Sequence, residues 1–327
     1  MAMVVSRLGQ AAGAGDSNAL FLKQFAGEIL TAFQRANVMM PLHTVRSIQS
    51  GKSAQFPVTG TASARYHTPG ESIIEDADAA AADYLSSVIH NERIITIDDL
   101  LTSSTFVDSL DDAKNHYDVR SIYSNEMGQA LAKKADQQLL QLLCLCTAEI
   151  AKAPQSAGNA ELDLACASTG NPTAGEMIDG LFTAAATLDG NDVPDFDRYA
   201  VLNPTYYYAL ANSSASLVSA TNRDVGGTGS LAKGNVIEVA GITIFKSNNI
   251  PAAIIGADAG ANNTYDGTFT HTKGLVFQRG AVGTVKLKDL AVESEYQVER
   301  QGTLLVGKYA MGHGILRPEA AVQMIDS

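Results

Sequence analysis

One short segment has residue types that could bind a phosphate. Gly51-Lys52-Ser53 matches the end of a phosphate-binding loop, in which backbone N–H groups surround the phosphates. Such a loop needs a glycine five residues before the Gly-Lys pair, and Arg46 stands there. It also opens a helix, whereas Ala54 to Val58 has the composition of a strand. The triplet is therefore interpreted as a glycine turn with a solvated lysine, and a nucleotide-dependent enzyme using it is kept as the alternative.

The spacing of the histidines and cysteines does not favour a metal site. None of the six histidines forms a helical His-Glu-x-x-His pair or lies beside a cysteine. They are His43, His67, His90, His116, His271 and His313. Cys144 and Cys146 are two residues apart in an apolar helical stretch, so their side chains point to different faces. With Cys166, they are predicted to be free thiols, buried in the core.

The remaining candidate patterns have plain structural interpretations. Gly226 to Gly229 does not satisfy the dinucleotide-binding pattern and indicates a flexible loop. The acidic runs Asp76 to Asp78 and Asp189 to Asp197 resemble calcium loops only loosely and are interpreted as solvated faces. Met311 to Gly314 could bend a strand near a subunit contact, but an ordinary bulge or turn is favoured. No catalytic, cofactor-binding or metal-binding residue is predicted, and no enzyme activity.

Composition and charge narrow the class of protein. The chain has 327 residues, 46% hydrophobic and 18% charged, enough for about two domains with a sizeable core. Its formal net charge of −12 argues against a nucleic-acid binder that depends on a basic surface. No stretch approaches the ~18 apolar residues of a membrane span, and no signal peptide is evident. A soluble protein made inside the cell, without membrane contact, is expected.

The longest regular segment predicts a spine-like helix from Asp108 to Ile150. It contains no proline, and apolar residues recur along it at helical spacing. These are Met127, Leu131, Ala135, Leu139, Leu142, Cys146 and Ile150. Unbroken, the helix would be roughly 64 Å long at ~1.5 Å per residue, longer than a compact chain of this length is wide. The molecule is therefore expected to be flat or elongated.

Before this helix, the sequence predicts an amphipathic helix and then a long two-stranded loop. The first helix follows a cap at Asp16 to Asn18 and ends at Pro41. Ser53 to Tyr66 and Ser87 to Asp98 have strand composition. A lone two-stranded ribbon is marginal in water, so this one should lie on its own body or on a neighbouring subunit.

After the spine, helical and strand patterns alternate. Glu176 to Asp189 predicts a helix and Arg198 to Leu202 a strand, after which Asn203-Pro204 opens another helix. Asn235 to Pro251 predicts a hairpin that turns at Ala240-Gly241, and the last fifty residues are rich in strands. The sequence thus predicts an arm, a long loop, a long helix and many strands, but no active site. Such an organisation suggests assembly with copies of the same chain.

Several blocks resemble the major capsid protein of T7-like short-tailed bacteriophages. In chain order they are "ALFLKQFAGEILTAFQRANV", "VRSIQSGKSAQFPVTG", "YHTPGESI", "ITIDDLL", "DDAKNHYDVRSIYSNEMGQALA", "AVGTVKLKDLAVE" and "KYAMGHGILRPEAA". They span Ala19 to Ala321, nearly the whole chain, and the likeness is weakest over 151–197 and 213–272.

The resemblance implies the α+β capsid fold named for phage HK97. Residues 1–47 would form an N-terminal arm with an amphipathic helix, and residues 48–99 an extended loop lying over an adjacent subunit. Residues 100–195 would form a peripheral domain that includes the spine helix, and 196–274 an axial domain around the hexamer and pentamer axes. Residues 275–327 would return as strands to the peripheral domain. The glycine triplet would be the hinge of the loop.

The resemblance also implies the function. Hexamers and pentamers would close into an icosahedral procapsid around a separate scaffolding protein, inside the bacterial host cytoplasm. DNA entering through a portal at one vertex would expand the shell, giving a virion whose capsid encloses double-stranded DNA without sequence specificity. Some relatives cross-link lysine to asparagine on the loop, but this chain has no lysine between Lys52 and Lys114, so a non-covalent shell is expected. An encapsulin-like compartment is the other alternative.

Overall fold

Strands dominate the part of the chain that this computed structural model describes. That part comprises residues 37–60, 62, 64, 66–67, 69–70, 88, 90–109, 119–149, 157–164, 172–212, 238–258 and 260–326. The strands are β1 Thr44–Ser47, β2 Ser53–Thr59, β3 His90–Thr96, β4 Leu101–Asp108, β5 Leu162–Asp163, β6 Arg198–Leu202, β7 Glu238–Val239, β8 Ile242–Lys246, β9 Ile254–Ile255, β10 Gly267–Thr268, β11 Thr272–Gln278, β12 Val282–Gln297, β13 Gly302–Ile315 and β14 Ala321–Ile325. The helices are α1 Val119–Leu145, α2 Ala174–Gly190 and α3 Pro204–Asn212, with short 3₁₀ turns at Cys146–Ala148, Val298–Arg300 and Pro318–Ala320.

Two larger sheets share the helix α1 between them. The first has the strand order β1-β12-β13-β4, in which β1 runs parallel to β12 and the other pairs are antiparallel. The second has the order β5-β14-β11-β6-β8-β7, with β6 and β8 parallel. The helix packs on β13 and β4 of the first sheet and on β11 and β14 of the second.

The main core lies between the second sheet and the helices. Its fully buried side chains are large and apolar, as expected for a sheet covered by helices. They include Leu139, Leu140, Leu143, Met177, Leu181, Leu188, Leu202, Leu210, Ile242 and Phe277. Helix α2 starts at a capping box, in which Thr173 accepts from the Glu176 backbone and the Glu176 carboxylate accepts from the Thr173 N–H. Separate smaller clusters lie against the two faces of the first sheet, one with β2 and β3 and two with α1.

The apolar stripe of α1 was predicted correctly over its described length. Every member of the predicted stripe from Met127 to Cys146 is buried. At ~1.5 Å per residue, the 27 residues of α1 are about 40 Å long. Ile150, the last member of the stripe, lies outside the described residues.

The predicted C-terminal end of this helix was wrong, whereas its predicted start was one residue early, since Ser109 is helical. Asp108 is the last residue of β4, where it pairs with Gly302 of β13. The Thr- and Ser-rich alternation before it favours a strand once a partner strand is present. The α-helix ends at Leu145, because a 3₁₀ turn follows and Glu149 is extended. Residues 110–118 lie outside the described part.

The later elements follow their predictions closely. Strand β6 has the predicted bounds, and α2 and α3 lie where helices were expected. The hairpin of β7 and β8 pairs Val239 with Ile242. Its turn places Ala240 at φ 52° and Gly241 at φ 73°, the left-handed pair that a two-residue hairpin turn needs. The predicted N-terminal amphipathic helix lies outside the described residues.

No helix in the described ranges is both long and apolar enough to cross a membrane.

Candidate assembly site at the base of the extended loop

The extended loop is described at its base, where β2 and β3 pair antiparallel. We call these two strands the loop base. Ala54 pairs with Ile95, and Phe56 with Arg93. One face of the loop base turns toward the body and buries Ala54 and Ile95, whereas the opposite face is exposed, including Ile94 at 53%. The pairing predicted from the strand composition is confirmed for these residues.

Two glycines of β13 let the loop base cross the first sheet at close range. A Cβ atom on Gly312 would lie 1.9 Å from the Thr96 carbonyl oxygen, which no side chain can tolerate. A Cβ on Gly314 would lie 2.8 Å from Cγ1 of Ile95. We call Gly312 and Gly314 the glycine crossing. Because these two residues have no side chains, β3 can pack closely on β13.

The glycine crossing corrects the prediction for Met311 to Gly314. That segment was expected to be a bulge or turn, but β13 runs unbroken from Gly302 to Ile315, and the register shift opposite Met311 comes from an extra residue of β12, between Lys286 and Lys288. The glycines are there because another strand passes over them, which a single sequence does not show. Ile95 is 1% exposed in this crossing. It lies in a small apolar cluster completed by Ala54, Ile97, Val285 and Ala310.

A hydrogen-bonded carboxylate fastens the end of the loop base. The Asp98 carboxylate accepts from the backbone N–H groups of Asn262 at 2.7 Å and Asn263 at 3.1 Å. The Tyr265 hydroxyl donates to it at 2.5 Å and accepts from the His313 N–H at 3.1 Å. Burial raises the pKa of Asp98, although these hydrogen bonds oppose the rise. Asp98 therefore joins the loop base to the segment before β10 and to β13.

A second polar connection runs through two buried histidines. His43 Nδ1 donates to the Met39 carbonyl at 2.7 Å, which leaves Nε2 to accept from the Thr284 hydroxyl at 2.6 Å. Thr284 Oγ1 in turn accepts from His313 Nδ1 at 2.7 Å. Burial lowers the pKa of His43 to about 4 and that of His313 to about 3, so both rings are neutral at pH 7. This chain ties the segment before β1 to β12 and β13.

Two carboxylates connect α1 and its C-terminal end to neighbouring segments. Asp136, fully buried on α1, accepts from the Met39 N–H at 2.8 Å and from Asn249 Nδ2 at 2.8 Å. Glu149, just after α1, pairs with Arg93 of β3 at 2.7 Å. The loop base is thus held at its apolar face, at its end and along one edge.

The glycine triplet is a turn before a strand, as predicted. Gly51 has φ 116°, a conformation that glycine adopts readily, and Ser53 begins β2. The backbone carbonyl of Lys52 accepts a hydrogen bond from the Ile97 N–H at 2.9 Å. Lys52 itself is exposed to solvent. Arg46, which replaces the first glycine of a phosphate loop, donates to the Gln55 carbonyl at 3.1 Å. A phosphate-binding loop is followed by a helix, whereas this triplet is followed by the strand β2.

The other candidate residues are scattered or have structural partners. Within the described ranges, no three His, Cys, Asp or Glu side chains are placed to hold a metal ion. Cys144 and Cys146 are buried free thiols, as predicted, and burial raises the pKa of Cys144 to about 12. Asp189 and Asp195 flank the buried Arg198 guanidinium at 2.7 and 3.1 Å. Outside the described residues lie His116, Cys166, the run at Asp76 to Asp78 and the loop at Gly226 to Gly229.

The residues that fasten the loop base were not singled out from the sequence. Asp98 and Tyr265 are separated by a long stretch of chain, and nothing in their local patterns links them. The closest signal was the alternation of Gly312 and Gly314 within a strand-rich segment, since glycine in a strand interior often marks a close backbone approach.

Comparison with known proteins gives a consistent result. The family model described as "Gp10A-like: Major capsid protein" matches residues 55–325. The major capsid protein of Escherichia phage T7 is 38% identical over 327 residues, covering 94% of this chain and 92% of that protein. That of Enterobacteria phage T3 is 37% identical over 339 residues, covering 96% and 93%.

Solved structures show the same fold. The capsid structure of cyanophage P-SCSP1u matches with a TM-score of 0.80 and 39% identity over 99% of both chains. The mature capsid of bacteriophage PhiM1 matches with a TM-score of 0.76 over 99% of this chain and 97% of that one; at 22% identity, it speaks for the fold alone.

The α+β fold, with a loop base seated on a sheet backed by a long helix, is that of phage capsid subunits of the HK97 type. The chain belongs to the Gp10A-like major capsid protein family, which confirms the resemblance seen in the sequence blocks. Its role is structural, as part of a multimeric shell of the virion.

Proposed function

We propose that copies of this chain form hexamers and pentamers that close into an icosahedral phage head around double-stranded DNA. In this assembly the extended loop of each copy lies over an adjacent subunit. The observation that carries the proposal is the asymmetry of the loop base. Its inner face is fastened to the body by the glycine crossing, whereas its outer face exposes Ile94 and leaves a two-stranded ribbon that would be marginal alone.

The exposed end of the first sheet supports the same proposal. From Lys288 to Tyr296, β12 is exposed on both faces although it pairs with β13. The exposed residues include Leu290, Val292 and Tyr296. An apolar surface of this kind marks a contact with another molecule, and neighbouring copies in a shell would supply one.

The proposed division of the chain follows the capsid fold. Residues 1–47 form the N-terminal arm, 48–99 the extended loop, 100–195 the peripheral domain, 196–274 the axial domain and 275–327 the returning strands. The turn at Gly51 to Ser53 is the proposed hinge of the loop. The positive φ at Gly51 suits a point where the chain direction can change, and the hydrogen bond from the Ile97 N–H to the Lys52 carbonyl holds the chain just after it.

The proposed partners are a scaffolding protein during assembly, a portal at one vertex and the packaged DNA. DNA would be enclosed without sequence specificity, since the formal net charge of −12 disfavours tight binding to phosphates. An inner wall of this charge would let the genome slide as it enters. A strongly basic interior in the assembled particle would contradict this part of the proposal.

Electron microscopy of the chain co-expressed with a scaffolding protein tests the assembly. Closed shells built of hexamers and pentamers are expected from the wild type. Gly312→Ala places a methyl group 1.9 Å from the Thr96 oxygen and should abolish or distort them. Gly256→Ala is the matched control, because a Cβ there meets no atom within 4 Å. Normal shells from Gly312→Ala would refute the role of the crossing, and wild-type protein without shells would refute the assembly itself.

We also propose that the shell is non-covalent and that the chain has no nucleotide-dependent activity. Mature particles should migrate as single subunits on a denaturing gel, and a ladder of multimers would contradict this. Titration with a phosphate analogue should give no binding, because Gly51 to Ser53 precedes a strand. Measuring the DNA content of purified shells separates a phage head from an enzyme-storing compartment.

A further inference from the structure

Residues 37–43, which precede β1, are buried more deeply than β1 itself. We call them the arm root, because the proposed N-terminal arm joins the body here. Met39 is 0% exposed, and Leu42 and His43 are also buried, whereas three of the four residues of β1 are exposed. The arm root contains neither helix nor strand. Its backbone polar groups therefore need partners other than those of a strand ladder.

A side chain of α1 supplies these partners. Asp136 is 0% exposed, and its Oδ1 accepts from the Val38 N–H at 3.2 Å and from the Met39 N–H at 2.8 Å. One turn earlier on α1, the Ala132 carbonyl accepts from Asn37 Nδ2 at 3.1 Å. The arm root is therefore hydrogen-bonded to the side of α1 as well as packed against it.

The second oxygen of the same carboxylate faces a different part of the chain. Asp136 Oδ2 accepts from Asn249 Nδ2 at 2.8 Å. Asn249 follows β8, in the proposed axial domain, and its backbone N–H donates to the Ser247 hydroxyl at 3.1 Å. The Ser247 N–H in turn donates to the Leu202 carbonyl of β6 at 3.0 Å. One carboxylate thus joins the arm root, α1 and the segment after β8.

The partners of Asp136 indicate a role in fixing geometry. All of its described hydrogen-bond donors are neutral N–H groups, although a fully buried carboxylate is usually paired with a cation. A buried polar group of this kind is costly unless each of its partners is in place, so it permits few arrangements of the segments around it. The position of the arm root is therefore tied to both α1 and Asn249.

We propose that Asp136 is a positioning residue for assembly. It sets the point at which the arm leaves the body, and through Asn249 it makes that point depend on the axial domain. The proposal rests on the proposed shell, in which the arm contributes to contacts between copies. The point where the arm leaves the body then limits which part of a neighbouring copy it can reach.

The first experiment digests the unassembled full chain with trypsin. Cleavage after Arg35 measures whether the arm root is held, because the protease cuts only when the neighbouring residues are released. Cleavage after Lys23 is the reference within the proposed arm, and cleavage after Lys134, inside α1, reports unfolding of the body. The cleavage ratio is the rate after Arg35 divided by the rate after Lys23.

A charge introduced at Asn249 should release the arm root. Asn249→Asp places a second carboxylate against Asp136 Oδ2 and removes the donor that this oxygen accepts from. The cleavage ratio should rise at least about tenfold, because the repulsion displaces Asp136 from the arm root. Asn248→Asp adds the same charge at the exposed neighbouring residue, so this control should keep the wild-type ratio.

A double variant separates positioning from general damage. Asp136→Asn combined with Asn249→Asp exchanges the two groups, so the amide oxygen at position 136 still accepts from the Met39 N–H and its nitrogen donates to the new carboxylate. The cleavage ratio should return to near the wild-type value. If Asn249→Asp does not fold, as rapid cleavage after Lys134 would show, Asn249→Ala replaces it and should raise the ratio at least about threefold, with Asn248→Ala as its control.

The same variants test the role in assembly. Co-expressed with a scaffolding protein, Asn249→Asp should lose closed shells or give misshapen ones, and the double variant should restore them. The proposal is overturned if the cleavage ratio does not rise, if the double variant does not restore it, or if Asn249→Asp forms normal shells despite a raised ratio. If the wild type forms no shells, the proposed function fails, and the cleavage ratio alone decides whether Asp136 positions the arm.

Discussion

The second sheet and the loop base differ in what holds them in place. The second sheet buries large apolar side chains such as Phe277 and Leu202 between α1, α2 and α3, and its strands are covered within a single copy of the chain. The loop base is held by glycines, by the side chains of Ile95 and Phe56 in a small apolar cluster, by the Arg93–Glu149 ion pair and by hydrogen bonds to Asp98. Burial of apolar area scales with side-chain size, so the first region should be stable alone. The loop base buries less apolar area against the body, and its outer face stays free to contact a neighbouring subunit.

Removing a large side chain from the second sheet should have the largest effect on the isolated subunit. Phe277→Ala empties a fully buried site in β11, and the free energy of unfolding should fall by about 3–5 kcal/mol. Chemical denaturation of the unassembled chain measures this. Phe182→Ala, at a side chain 55% exposed on α2, should change it by less than about 0.5 kcal/mol. Equal losses for the two variants would mean that the second sheet is not the stable region.

Two adjacent residues of β3 test the two faces of the loop base. Ile95→Ala should lower the stability of the subunit by about 2–4 kcal/mol, since Ile95 fills the glycine crossing. Ile94→Ala should leave the subunit within about 0.5 kcal/mol of the wild type, because Ile94 is 53% exposed.

The same pair separates the subunit from the shell. If the outer face contacts a neighbour, Ile94→Ala shells should dissociate at lower urea concentration than wild-type shells, although the free subunit is unchanged. Shells of Ile94→Ala as stable as the wild type would show that the outer face of the loop base makes no important contact.

Mild acid should weaken the histidine connection at β1. The pKa of His43 is lowered to about 4 and that of His313 to about 3, whereas both are near 6.5 in the unfolded chain. The unfolded state therefore binds more protons below pH 6.5, and stability falls as the pH drops from there toward 4. The slope is at most about 1.4 kcal/mol per pH unit for each histidine.

Replacing one histidine measures its share of this slope. Between pH 7.5 and 5.5, His43→Gln should lose less stability than the wild type, and exposed His90→Gln should behave like the wild type. Asp98 acts in the opposite sense, since a raised pKa contributes stability at low pH that is lost as the pH rises. Asp98 is present in both proteins, so its contribution cancels when the pH slope of the variant is subtracted from that of the wild type. Identical slopes for His43→Gln and the wild type would contradict the connection.

The smallest effect is expected on the exposed part of β12. Lys308 Nζ forms a short ion pair with the Glu293 carboxylate, whose side chain is 64% exposed. Glu293→Gln should therefore change the stability of the subunit by less than about 1 kcal/mol, and salt should reduce the difference. Urea denaturation at low and high salt measures it. A loss as large as that of Ile95→Ala would mean that charge, and not burial, holds this strand.

Local patterns predicted most of the described elements but not their ends. The stripe of α1, the strand β6 and the turn at Ala240-Gly241 were predicted from residue spacing alone. Helical structure begins at Ser109, one residue later than predicted, because pairing with Gly302 of β13 makes Asp108 part of a strand. Propensity is a weak guide where two structures are locally compatible.

The sequence by itself determined the class of protein. Residue spacing set most of the helices and strands, and long matching blocks indicated a capsid subunit, because both signals lie along the chain. Only the tertiary structure decided why Gly312 and Gly314 are glycines and which groups surround Asp98. These contacts join residues far apart in sequence, so they depend on the path of the backbone through space, which no local pattern specifies.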